Sequence, residues 1–287
     1  MIELASADTR VTLDPARGGA IAGYCSRGPK GWVDWLAPAD SVRPACFPML
    51  PFASRIRNGE FRFSGRRVNL PANNPPEAHA IHGQTWQQPW VVASQSAHRA
   101  SCEMHHPPDA WPWRYIARQQ FTLEDRALRI GLELENLGST NMPAGMGLHP
   151  YFPRTPRTQI YARVTSRWRL DADLLPVGSA PAAYESRDDN RLLAGDGPID
   201  AVFSGWDQQA LIELPEWNAQ IMITALAPLQ HLVVYSEGAA DYVCVEPISN
   251  VVDAFNLSPA SDPVSLYQVI APGECLQAEV VILPRFV

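Results

Sequence analysis

From Leu128 to Leu134 every second residue is leucine or isoleucine, and Arg129, Gly131 and Glu133 stand between them. Only an extended backbone sends successive side chains to opposite faces, so this segment reads as a strand with one face buried. Residues 117–123 lead into it through Glu124-Asp125, the pattern of a hairpin. Phe61 and Phe63 lead likewise through Ser64-Gly65 to Val68 and Leu70, and Arg62, Arg66 and Arg67 fall on the exposed face of that second hairpin. Stretches 220–226, 232–236, 242–246 and 276–283, rich in Val and Ile, read as further strands. No segment sustains a long helical period, and 27 prolines punctuate the chain. Many short strands between turn signals predict an all-β chain, a large antiparallel β-sandwich with under about a tenth of its residues in α-helix.

The length of 287 residues suits one large all-β domain, and no repeat or linker divides it, so residues 1–287 are read as a single domain. The Pro-rich stretches 71–76 and 107–112 are too short to be linkers; they sit where loops cross the end of a sheet, a common place for function. A net charge of −7 with no basic stripe argues against nucleic acid or an anionic membrane as partner. No charged-then-apolar leader opens the chain and no apolar run reaches membrane length, so a cytoplasmic location is expected. Cys25, Cys46, Cys102, Cys244 and Cys275 are far apart and odd in number, which favours buried free thiols over disulfides. Lys30 is the only lysine, and with abundant Ala and Pro it suggests a bacterial, GC-rich source.

Four segments place a titratable or charged group beside Gly or Pro, or at the end of a strand: 51–56 with Arg55, 80–83 with His82, 147–152 with His149, and 244–247 with Glu246. Singly, each has a plain explanation. A lone histidine is more often structural than catalytic, a Glu before Pro is usually a solvated strand end, and Arg55 would be one more surface charge.

Together, and in this order, they resemble the aldose 1-epimerase (galactose mutarotase) family. That family has an Asn-Arg-Ile segment, a Leu-His-Gly segment, a second histidine beside an aromatic strand, then an aspartate and a C-terminal glutamate. Here Ser54-Arg55-Ile56, Ile81-His82-Gly83, His149 with Tyr151-Phe152, Asp200 and Glu246 stand in those places. The resemblance runs from about residue 10 to about residue 283 and implies the galactose mutarotase-like supersandwich. Two departures bear on substrate choice: Ser54 replaces the usual Asn, and Val233 stands where many relatives carry a Gln.

The resemblance implies interconversion of the anomers of a free hexose. A base removes the proton of the C1 hydroxyl while an acid protonates the ring oxygen, and the ring then recloses on the other face. Glu246 is the expected base, its carboxyl raised by partial burial, and His149 the expected acid, a neighbouring carboxylate favouring its charged form. Arg55 and His82 would donate to sugar oxygens, Asp200 would accept from hydroxyls, and one or two of Trp86, Trp90, Trp111, Trp113 and Trp206 would stack on the ring. The chemistry asks for no cofactor, and no HExxH or Cys/His spacing marks a metal site. A hexose-6-phosphate 1-epimerase is the alternative, with Arg57 and Arg114 as candidates for a phosphate clamp; a non-catalytic sugar-binding or sugar-sensing protein is another.

Overall fold

A computed structural model of the protein describes residues 1–40, 43–181, 190–194, 197–238, 240–258 and 265–287. The predicted all-β architecture is what it contains. Two large sheets of eleven and nine strands are antiparallel throughout, and the helical elements among the described residues are single 3₁₀ turns such as Thr85–Gln87 and Pro215–Trp217. The expected hairpins are present: Tyr115–Glu124 pairs with Ala127–Asn136 in full register, and Glu60–Phe63 pairs with Arg66–Asn69. Arg62, Arg66 and Arg67 are exposed on the second of these. Among the described residues, no helix is long and apolar enough to cross a membrane.

The smaller sheet carries the clean alternation that the sequence displays. Ala127–Asn136 buries every second residue, and Ile130, Leu132 and Leu134 pack with Ile221, Ile223, Val280 and Ile282 in the core between the sheets. The larger sheet contributes Leu148, Leu232, Val234, Val243 and Val245 to that core. Its opposite face is covered as well. A second apolar cluster, with Phe47, Met49, Val202, Val233, Ile248 and Val252, lies there under loops. Strand Tyr242–Ile248 is therefore buried on both faces, which is why its sequence reads as a nearly continuous apolar run.

The cysteines follow this burial in part. Cys46, Cys102 and Cys244 are buried free thiols, whereas Cys25 is half-buried and Cys275 is exposed. Both exceptions fall on strand positions whose side chains face outward, so their alternation and not their residue type decides the matter.

Candidate active site on the outer face of the larger sheet

Gly147–Pro153 and Tyr242–Ile248 lie side by side at the middle of the larger sheet. Their register pairs Gly147 with Ile248 and Tyr151 with Cys244, which sets His149 opposite Glu246. The row continues on both sides. Phe47 pairs with His149, Glu246 with Val233, and Val233 with Val202. Two residues along each strand, a second row runs Tyr151, Cys244, Tyr235, Asp200. Because side chains two apart share a face, both rows point away from the inter-sheet core. They form the floor of a cleft of about 410 Å³ that includes Arg55, His82, His149, Asp200 and Glu246 in its lining.

The contact at its centre is His149 Nε2 to Glu246 Oε1, at 3.3 Å. Both residues are nearly buried, with 7% and 2% of their surface exposed. The imidazole packs against the rings of Phe47 and Tyr151, each 4.7 Å away, while its Nδ1 has no hydrogen-bond partner among the described residues. Burial governs both titrations. It drives Glu246 well above the ordinary carboxylate range, helped by the like charge of Asp200 and opposed by Arg55. It drives His149 down to about 3. The expectation that a neighbouring carboxylate would favour charged His149 is thus reversed: for a ring buried against Phe47 and Tyr151, loss of hydration outweighs the pairing. Both shifts favour the uncharged forms, a protonated carboxyl beside a neutral imidazole.

The covering loops are tied down by side chains that sequence reasoning did not single out. Asn250, buried just beyond the Glu246 strand, accepts from the Ala53 amide at 2.8 Å and donates to the Ala53 carbonyl at 2.9 Å, anchoring the segment that carries Arg55. Arg55 Nε donates to Glu77 at 2.7 Å, and Asn73 clamps the backbone on both sides of His82 through Ile81 and Gly83. The Pro-rich stretch 71–76, which contains Asn73 and ends one residue before Glu77, was the one signal available.

Ser54 and His82 both take left-handed conformations, with φ of 60° and 59°. The His82 amide donates to the Ser54 carbonyl at 3.0 Å, and the Ser54 amide donates to His82 Nδ1 at 3.2 Å. That second bond makes Nδ1 the acceptor, so neutral His82 carries its proton on Nε2. Burial first, then the charges of His149 and Arg55, hold His82 well below the usual histidine range and therefore neutral. Gly83, next in the chain, also has positive φ, and a Cβ there would lie 1.9 Å from the Leu50 carbonyl oxygen. Only glycine fits. Asp200 is raised by burial, against the pull of Arg55 and Arg167.

Of the five tryptophans named, Trp86 lines the cleft and stacks on Phe47 at 5.2 Å. Trp90, Trp111, Trp113 and Trp206 are core residues. Phe47, Tyr235, Tyr242 and Arg43 complete the wall, with the Arg43 guanidinium over the rings of Tyr151 and Tyr242. Arg57 is engaged with Asp253 and Asp171, and neither it nor Arg114 lines the cleft.

A family model described as Aldose 1-epimerase matches residues 2–283. The chain is 30% identical over 248 residues to the uncharacterized protein YphB of Escherichia coli K12, covering 82% of each sequence. Its fold superposes with a TM-score of 0.89 on the crystal structure of a putative aldose 1-epimerase from Escherichia coli K12, at 25% identity over 100% of this chain and 99% of the other. A galactose mutarotase-like protein from Clostridium acetobutylicum shares the fold with a TM-score of 0.86, at 18% identity over 99% of this chain and 95% of the other.

Proposed function

We propose that this chain, which belongs to the aldose 1-epimerase family, interconverts the α and β anomers of a free hexose, with Glu246 as base and His149 as acid. The observation that carries the reading is the 3.3 Å contact between His149 Nε2 and Glu246 Oε1 on the floor of an open cleft. Anomerisation needs one group to take a proton and one to give it, on two oxygens attached to the same carbon. Two titrating atoms one hydrogen bond apart can span that O1–C1–O5 edge.

The carboxyl proton must first cross from Glu246 to His149, which leaves a carboxylate and an imidazolium. Arg55 favours that charged form, since its positive charge lowers the Glu246 carboxyl. Glu246 then removes the O1 proton as the C1–O5 bond breaks and C1 becomes a carbonyl carbon, while His149 protonates O5. Rotation about C1–C2 presents the other face, and reclosure returns each proton. Nothing is oxidised and no group is lost. Neutral His82 donates through Nε2 and Arg55 through its guanidinium to the sugar's oxygens, while Asp200 accepts from its hydroxyls. Trp86, Phe47 and the tyrosines supply apolar walls for the C–H faces of the ring.

A neutral sugar is favoured over a hexose phosphate by the charges around the cleft. Its two arginines, Arg43 and Arg55, are already engaged, Arg43 with Asp40 and Arg55 with Glu77, while Asp200, Glu237 and Glu246 also line it. A phosphate clamp needs converging cations that are free to bind.

The test is polarimetry on freshly dissolved α-D-glucose and α-D-galactose, read above the rate in water. Acceleration of either supports the reading. Protein that binds aldoses yet never exceeds the water rate is a binding protein, and acceleration confined to hexose 6-phosphates would move the substrate class.

A further inference from the structure

Cys244, fully buried beside the cleft floor and not among its lining residues, is a thiol for which anomerisation has no use. It stands two residues before Glu246 on the same face of the same strand, opposite Tyr151 and so diagonal to His149. One ligand atom from each of His149, Cys244 and Glu246 lies within 4.8 Å of the other two. We propose that these three residues form an inhibitory site for a thiophilic divalent cation, of the Zn²⁺ or Cd²⁺ kind, which competes with sugar for the cleft. The competition rests on the epimerase reading; the binding of the cation does not.

Three observations support it. First, a tetrahedral ion with bonds of about 2.0–2.1 Å to nitrogen and oxygen holds those two ligand atoms about 3.3 Å apart. The separation of His149 Nε2 and Glu246 Oε1 is 3.3 Å without any ion present. With Zn–S at about 2.3 Å, the sulfur would sit about 3.5 Å from each. The sulfur lies within 4.8 Å of both, which leaves at most about 1.3 Å to close. Second, the imidazole is already oriented. Contacts with Phe47 and Tyr151 hold the ring, so little freedom is lost when Nε2 binds. Third, the charges cancel. On binding, the Cys244 thiol and the Glu246 carboxyl each release a proton to solvent. One thiolate, one carboxylate, one neutral imidazole and a divalent cation sum to zero, the charge a buried site tolerates best.

The donor set also sets selectivity. A thiolate and an imidazole favour Zn²⁺ and Cd²⁺ and discriminate against Mg²⁺ and Ca²⁺, which require oxygen ligands. The three protein ligands leave a fourth position for water, and an ion held by Glu246 and His149 occupies the two groups a sugar would need. The other cluster of this kind, Glu133, Glu135 and Cys275, lies on partly exposed strand positions, and both of its carboxylates are ion-paired with Arg118. It is the natural control.

The experiment uses Cys275→Ala protein throughout, so that Cys244 is the thiol under test. Titration with Co²⁺ should produce a near-ultraviolet sulfur-to-cobalt charge-transfer band. Adding Cys244→Ala should abolish that band and weaken Co²⁺ binding at least about tenfold, the least that even an outer partner of a metal ligand is worth. In the polarimetric assay Zn²⁺ should raise the apparent KM for the aldose without lowering kcat, and chelation should reverse it. Cys244→Ala should lift this inhibition at least about tenfold while leaving kcat without metal within about twofold of the parent. Cys244→Ser, compared by circular dichroism, guards against a folding defect. Absence of the band, its persistence in Cys244→Ala, or Zn²⁺ inhibition that lowers kcat at constant KM would overturn the proposal. If the band appears and vanishes as described while no aldose is turned over, the metal site stands and the epimerase reading falls.

Discussion

Replacing Glu246 with Gln keeps the side chain's volume and one carbonyl oxygen 3.3 Å or so from His149 Nε2, but removes the group proposed to take the O1 proton. General acid–base groups contribute about 10²–10⁴-fold, which is about 2.7–5.4 kcal/mol of barrier. Catalysed mutarotation should fall by at least about a hundredfold, measured above the water baseline, while sugar binding by calorimetry is largely kept. Stability should move the other way. Burial, then Asp200, holds the Glu246 carboxyl well above its ordinary value in the folded protein. A group raised on folding contributes stability below its unfolded pKa and loses it as pH rises through the folded one. The wild type is therefore penalised on the alkaline side and Gln is not, so Glu246→Gln should melt higher than wild type there and more nearly alike in acid. His149→Asn should match the loss of rate. The double variant should lose less than the product of the two, because acid and base act in one step. An unchanged rate in Glu246→Gln would refute its role as base; loss of sugar binding in parallel with rate would make it a binding group instead.

Followed by NMR, the His149 ring should show no titration near 6.5, the ordinary histidine value, because burial pushes it down to about 3. A clear inflection there would mean that His149 titrates as an exposed histidine. The same depression makes His149 a source of acid lability. The stability associated with its neutral form is complete above pH 6.5 and is lost as pH falls toward 3, by about 5 kcal/mol in full. His149→Phe should accordingly flatten the acid limb of a plot of melting temperature against pH. Activity should survive exhaustive chelation, and a loss that only added zinc restores would overturn the acid–base mechanism. Ser54→Asn should raise the melting temperature slightly, since Asn tolerates the left-handed region better than Ser and φ at this position is 60°. A lower melting temperature would show that the serine hydroxyl matters more than the backbone.

The strands were legible because alternation is a local property. A run such as Leu128–Leu134 declares its period without reference to the rest of the chain, and both predicted hairpins close through turns that their own residues dictate. Which strands lie beside one another is not local. That His149 faces Glu246, with Val233 next to it and Asp200 one row away, depends on pairings across about a hundred residues, and the resemblance supplied what alternation could not. The charge state failed for the same reason. Proximity of a carboxylate to His149 was foreseeable from the motif set, but desolvation comes from Phe47 and Tyr151 closing on the ring, and Phe47 enters only through strand pairing. Asn250, Asn73 and Glu77 escaped notice because polar residues in loops are common, and what sets these apart is the backbone they hold.

The cleft divides its work between two kinds of support. His149 and Glu246 sit on neighbouring strands in the middle of the larger sheet, framed by the Gly147–Ile248 and Tyr151–Cys244 pairings and by the ladders each strand makes with its outer neighbour. Arg55 and His82 hang from two-stranded and left-handed segments over the sheet, held by single side chains of Asn250, Asn73 and Glu77. Chemistry that fails when two atoms drift by an ångström belongs on the rigid element, and contacts to a sugar's hydroxyls can be carried by the adjustable one. The departures from the family pattern fit this division. Ser54 lies in the covering loop beside Arg55, and Val233 replaces an amide next to Glu246 without altering the ladder that positions it. Both change what a sugar meets in the cleft and leave the His149–Glu246 spacing to the sheet. Substrate preference in such a chain can therefore shift by one or two substitutions while the acid–base pair, whose geometry is a property of strand register, stays where it is.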